Sequence, residues 1–326
     1  MCVLVDTAAA EFLRPLIEEW IAEPPDFDWE IAAGPAAAKV FSEIASLPKA
    51  AMATIDPKAS APEFGFEQTE NRLITALVVS AASWPAEFTA IRAARRGGLR
   101  ILQVIDNWYG YRRRLWDGRE LVLGDRLLVI DEIAKREAEA EGLPGERLAA
   151  VGHPAWEKIG PLAPSTSKDV LFLGAPIARD YGTSLGYTEH DSWAMLQAAR
   201  KSRPDLFGRV LYAPHPTMDL PDDLGDAEVV RYRRELLGEI GAVAGMFSAP
   251  LVEAVLARRR ALTLQPGATV VDMCPLSRHG LIPRIGSVEQ VIAGLTASPP
   301  DPEQFARSLR ASGSRVAGHI KWALAA

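Results

Sequence analysis

Short apolar runs alternate with amphipathic stretches along almost the whole chain, and this alternation predicts most of the elements. Runs over Cys2–Val5, Trp29–Ala32, Met52–Ile55, Leu73–Ser80, Leu99–Ile105, Arg126–Ile130 and Leu148–Val151 predict strands. Between them, Ala8–Ala22 carries Phe12, Leu16 and Trp20 with Leu13, Ile17 and Ile21 at helical spacing. Ala36–Ser46, Pro85–Arg96 and Asp131–Glu141 predict further helices, the last two stopped by Gly97-Gly98 and Gly142. Continuous apolar strands separated by helices mean a parallel sheet covered on both faces.

A polar, proline-containing seam follows, with Pro161, Pro164, Ser165, Thr166 and Ser167, and the alternation then restarts. Strands are predicted over Val170–Leu173, Val210–Ala213, Glu228–Val230, Ala242–Met246, Ala261–Leu264 and Val270–Met273. Helices are predicted over Asp191–Lys201, Arg233–Glu239, Leu251–Arg258, Val288–Leu295 and Glu303–Leu324. The expected fold is thus α/β, with domains over 1–160 and 161–326, and with the closing helix 303–324 able to cross back to the first domain. In such sheets ligands bind at the carboxyl ends of the strands.

Composition narrows the partners. A formal net charge of −6 without a basic tail argues against nucleic acid. Two distant cysteines, Cys2 and Cys274, build neither a disulfide framework nor a zinc site and fit a reducing compartment. The start of the chain lacks the features of a signal peptide, and no run of about 20 apolar residues occurs. The expectation is a cytoplasmic protein, with peripheral contact at the inner face of a membrane left open. The P-loop, dinucleotide and nucleophile-elbow signatures are absent.

Candidate chemistry lies at the strand ends. His215 stands in Ala213-Pro214-His215-Pro216, where flanking prolines fix the backbone and an imidazole can hold or protonate a phosphate. Phe247-Ser248-Ala249 opens a helix whose N-terminus suits a phosphate, with Glu253 one turn in for a ribose hydroxyl or for the helix dipole. Gly174-Ala175-Pro176 opens the long loop after the first strand of the second half, where glycine permits close approach. In the first half, Asp6 and Asp106 are candidate bases for an acceptor hydroxyl, Asp6 competing with a helix-capping role. Asn107, Trp108, Tyr111 and Arg112 suit a sugar or an anionic acceptor, or else form an aromatic plug with a solvated basic turn. His153, in a second His-Pro, is placed as a crossover residue rather than a catalytic one.

Two successive doubly wound halves resemble the GT-B glycosyltransferase layout, two Rossmann-like domains facing across a cleft. The run from Asp125 to Val129, through Ile133-Ala134 and Gly142-Leu143 to Val151-Gly152-His153-Pro154, resembles the end of the N-terminal domain in lipid-A-disaccharide synthase and the UDP-GlcNAc 2-epimerases. His215-Pro216 followed by Ser248 at a helix start resembles the His-Pro and serine motifs of bacterial sialyl- and polysialyltransferases, although Ala249 replaces their second hydroxyl residue. That resemblance implies a metal-independent glycosyltransferase without a cofactor. It would move a sugar, for instance a nonulosonic acid, from a nucleotide-sugar donor, CMP-sugar favoured, to a glycan, lipid or protein acceptor. The alternatives are a UDP-sugar transferase or UDP-GlcNAc 2-epimerase-like enzyme, and a non-catalytic GT-B-like binding protein of surface-glycan or flagellar glycosylation.

Overall fold

A computed structural model describes residues 1–58, 75–215, 218, 220–221 and 223–325. The chain divides into two compact units, Met1–Lys158 with Ser308–Ala326, and Ile159–Arg307.

The first unit is built on seven parallel strands in the order β3-β2-β1-β4-β5-β6-β7. They are β1 (Cys2–Leu4), β2 (Ile31–Ala33), β3 (Met52–Thr54), β4 (Ala76–Ser80), β5 (Arg100–Ile105), β6 (Arg126–Val129) and β7 (Leu148–Ala150). Leu73 and Ile74, expected at the start of β4, lie outside the described residues. Helices α1 (Thr7–Ala22), α2 (Pro35–Ser42), α3 (Pro85–Arg96), α4 (Tyr111–Arg114), α5 (Glu132–Ala140) and α6 (Pro154–Glu157) alternate with the strands. The stripe predicted on α1 is real: Phe12, Leu13, Leu16, Ile17 and Trp20 are all buried. The strand order reverses between β1 and β4, the topological switch point of a doubly wound sheet.

The second unit carries six parallel strands in the order β10-β9-β8-β11-β12-β13. They are β8 (Val170–Leu173), β9 (Val210–Ala213), β10 (Glu228–Val229), β11 (Ala242–Gly245), β12 (Arg260–Leu264) and β13 (Arg284–Ile285). Its helices are α7 (Ile177–Tyr181), α8 (Glu189–Ser202), α9 (Ala249–Leu256), α10 (Pro275–Arg278) and α11 (Val288–Thr296). Here the order reverses between β8 and β11. The chain ends with α12 (Glu303–Leu309) and α13 (Ser312–Leu324).

Three expectations fail for identifiable reasons. Val270–Met273 is not a strand: the sixth place in the sheet is taken by β13, pairing Thr263 with Arg284, and Val271 is 80 % exposed. Asp272 is instead drawn to Gln265 and the Cys274 amide. Arg234–Gly238 is a 3-10 turn rather than an α-helix. The single helix expected over Glu303–Leu324 breaks at Ala311, which adopts a left-handed conformation (φ 60°). Glu157 compensates the break by accepting from the amides of Ala311 and Gly313 at the new N-terminus.

Helix α13 docks on the first unit through a glycine. Gly152 has φ +81°, and a Cβ there would lie 1.9 Å from Ser312 Oγ and 2.7 Å from Arg315 Nη2. Arg315 Nε donates to the Val151 carbonyl at 3.0 Å. At the far end of the helix, Arg126 stacks 3.7 Å above the Trp322 ring, with Arg100 at 4.7 Å.

Candidate functional site

The switch point of the first sheet gathers carboxylates around one arginine. Asp6 follows β1 and caps α1, its Oδ1 accepting from the Ala9 amide at 2.9 Å. Asp106 follows β5 and is buried, its Oδ1 accepting from Arg114 Nη2 at 2.8 Å. The same nitrogen lies 4.0 Å from Asp6 Oδ2. Arg114 comes from the one-turn helix α4, which follows the left-handed Gly110 (φ 63°). Burial alone would lower the guanidinium pKa, but Asp106 and Asp6 hold it above its ordinary value.

Asp6 and Asp106 therefore do different things. The Asp106 side chain is fully enclosed and ion-paired, whereas 29 % of the Asp6 side chain is exposed. Burial, then the negative charge of Asp106, pushes the Asp6 carboxyl up to about 7, against the pull of Arg114 and the Ala9 amide. Asp6 is thus both the helix cap and a carboxyl able to take and give a proton near neutrality. Asp106 Oδ2 and Arg114 Nη1 are buried without a hydrogen-bond partner among the described residues.

A third carboxylate braces the site. Glu87, buried in the first turn of α3, accepts from the amides of Ala82 at 2.9 Å and Trp84 at 3.0 Å and from the Ser80 hydroxyl. Ser80 Oγ also accepts from the Val5 amide at 3.1 Å, beside Asp6. Burial raises the Glu87 pKa, while its hydrogen bonds and Arg114 act the other way.

The residues expected to face an acceptor separate. Trp108 is buried; its Nε1 donates to Asp131 at 2.7 Å and its ring stacks on Trp156 at 5.3 Å, which in turn stacks on His153 at 3.8 Å. Tyr111 is also buried, with its hydroxyl on Glu137 at 2.8 Å. Both are core residues, as is His153, so the aromatic plug describes them and acceptor contact does not. Asn107 is half-buried, its side chain 3.4 Å from the Tyr109 amide, and Arg112 is exposed.

At the second switch point, the Gly174 amide donates to the Ala213 carbonyl at 2.8 Å. A Cβ on Gly174 would come within 2.8 Å of the Tyr212 hydroxyl and 2.9 Å of Met218 Sδ, so a larger residue there would require those side chains to shift. Ala175 and Pro176 continue half-buried into α7, whose Tyr181 meets Phe247 edge-on at 6.3 Å. His215 is exposed at the end of β9, while Pro216, Thr217 and Asp219 of its loop lie outside the described residues. Partial burial and then the Arg179 charge lower the His215 pKa, which favours the neutral imidazole at pH 7.

Ser248 occupies the N-cap position of α9 but does not cap it with its side chain. The reason is local: Pro250 has no amide hydrogen to offer, and the Leu251 amide bonds the Ser248 carbonyl at 3.0 Å. Ser248 Oγ is buried without a hydrogen-bond partner among the described residues, and Ala249 is exposed beside it. The Glu253 carboxylate is already held by the Tyr232 hydroxyl at 2.6 Å and by Arg234 at 3.2 Å. A ribose hydroxyl would have to displace one of them.

No family model and no curated protein matches the chain. Solved structures do. The UDP-GlcNAc 2-epimerase of Neisseria meningitidis bound to UDP-GlcNAc superposes with a TM-score of 0.67 at 12 % identity, over 98 % of each chain. The UDP-GlcNAc 2-epimerase of Methanocaldococcus jannaschii gives 0.67 at 13 %, over 98 % of this chain and 99 % of the other. The glycotransferase of kitacinnamycin gives 0.61 at 14 %, over 99 % and 98 %. The fold is the GT-B-like fold of the UDP-GlcNAc 2-epimerases.

Three side chains around Asp6 and Asp106 carry little signal in the sequence. Arg114 reads as part of a solvated basic turn in Arg112-Arg113-Arg114, yet only its side chain turns inward, to Asp106. Glu87 carries the weak signal of an acidic residue in a first helical turn, and Ser80 carries none. Among the described residues, no group of three or more His, Cys, Asp or Glu could hold a metal, and no helix is long and apolar enough to cross a membrane.

Proposed function

We propose that the protein is an enzyme acting on a nucleotide sugar, with a UDP-sugar ahead of a CMP-sugar. The observation that carries the enzyme reading is the buried ion pair of Asp106 and Arg114 beside a proton-exchanging Asp6, at the switch point of the first sheet. Enclosing an ion pair is costly to a fold that needs only packing there, and perturbed carboxylates at strand ends are the mark of acid–base sites. This weighs against the non-catalytic binding protein. In the second unit, the Gly174 turn, His215 and the amide end of α9 would receive the nucleotide phosphates. UDP comes first because the solved structures of like fold include 2-epimerases described with UDP-GlcNAc.

In this reading Asp106 fixes Arg114, and Asp6 takes a proton from the sugar or from an acceptor hydroxyl. A transferase acting on a CMP- or UDP-sugar, with a glycan, lipid or protein acceptor, is the second reading; His215 and Ser248 at their strand ends support it, and Asn107 and Arg112 remain available to an acceptor. Calorimetry with UDP and CMP tests the donor, and CMP binding without UDP binding sinks the first choice. Incubation of UDP-GlcNAc in D2O tests the reaction. Carbon-bound deuterium in the recovered sugar supports epimerisation chemistry, whereas turnover only with an added acceptor, without deuterium uptake, supports transfer.

A further inference from the structure

Strand β12 breaks the rule that a buried parallel strand reads apolar throughout. Thr263 is fully buried within it, and Gln265, 2 % exposed, follows at its carboxyl end. Each polar side chain in such a place costs stability unless its hydrogen bonds are made. Their hydroxyl and amide donors are bonded, and these bonds form a continuous line. Asp272 accepts from the Ser277 hydroxyl and from the Cys274 amide at 2.9 Å. Gln265 Nε2 bridges Asp272 Oδ1 at 2.7 Å and Thr263 Oγ1 at 2.8 Å. Thr263 Oγ1 then donates to the carbonyl of Met246.

The line ends at a telling place. Met246 lies between β11 and the Phe247-Ser248 turn that opens α9. Apolar residues of equal size would fill β12 without any of these requirements, so packing does not explain the choice. What the line fixes is one carbonyl, and with it the direction in which the backbone leaves the sheet toward the start of α9. We propose that Thr263, Gln265 and Asp272 are positioning residues that hold the amide end of α9 in register for a nucleotide phosphate. This rests on the reading that α9 receives the nucleotide.

Thr263→Val removes the hydroxyl at constant shape, and Thr263→Ser restores it. UDP binding to each full-length variant is measured by calorimetry beside a thermal melt. The expected result is UDP binding weakened about ten-fold in Thr263→Val and returned to within about two-fold of wild type in Thr263→Ser. A lower melting temperature with unchanged UDP affinity in Thr263→Val overturns the inference, because a merely structural hydroxyl gives that pattern. If Thr263→Val does not fold, Gln265→Met cuts the same line one residue further on, and unchanged UDP affinity there is equally fatal. A wild-type protein that binds neither UDP nor CMP overturns the donor-site reading itself, and the inference with it.

Discussion

Asp6→Asn separates the charge of Asp6 from its role as a helix cap. Asparagine keeps an oxygen for the Ala9 amide, so α1 stays capped. What disappears is a carboxyl pushed from 3.8 up to about 7. Such a shift, at about 1.4 kcal/mol per pH unit, bounds the effect near 4 kcal/mol. With 29 % of the side chain exposed and Arg114 4.0 Å away, screening brings the working figure to the order of 2 kcal/mol. The sign follows from proton linkage. The folded state binds this proton more tightly than the unfolded chain, so its contribution is full below about pH 4 and is lost as pH rises through about 7. Urea unfolding of both proteins at pH 4 and pH 8, followed by tryptophan fluorescence, measures it. Asp6→Asn should gain about 2 kcal/mol on wild type between the two pH values while losing turnover and keeping UDP affinity. An identical stability difference at both pH values would refute the reasoning.

The neighbouring substitution should act in the opposite direction. Asp106→Asn leaves the buried Arg114 without its close charge partner and should cost about 3–5 kcal/mol at neutral pH, read from the urea midpoint. Gly152→Ala forces a side chain into Ser312 at positive φ and should cost about 3 kcal/mol, with α13 losing protection in hydrogen exchange before the sheet does. Ser248→Ala breaks no hydrogen bond and should change stability by less than about 0.5 kcal/mol, while UDP titration reports a weaker complex. UDP binding should strengthen as pH falls through the lowered pKa of His215, and His215→Ala should abolish that pH dependence in calorimetry.

How far the molecule can be read from its sequence depends on whether the decisive interaction is local. Strands such as Val170–Leu173 and Val210–Ala213 are legible to the residue, because a strand buried on both faces must be apolar throughout. Val270–Met273, apolar except for Asp272, is not a strand. A four-residue run with three apolar residues has no period of its own, and the edge place beside β12 goes to Arg284–Ile285, which contains only one apolar residue. The site divides along the same line. Asp6 and Asp106 stand out as candidates because strand ends are where a doubly wound sheet exposes chemistry. Arg114 does not: its neighbours Arg112 and Arg113 are exposed, and only the turn after Gly110 swings the third arginine onto Asp106. Trp108 and Tyr111 mislead for the complementary reason. An aromatic with a polar edge suits a ligand or a core equally well, and partners distant in sequence, Asp131 and Glu137, decide for the core. Candidate chemistry in a chain of this kind is therefore best weighed by what would neutralise it. A carboxylate at a strand end is informative about function once the cation that shares its burial is known, because that cation decides which carboxylate is held in an ion pair and which one stands apart from it.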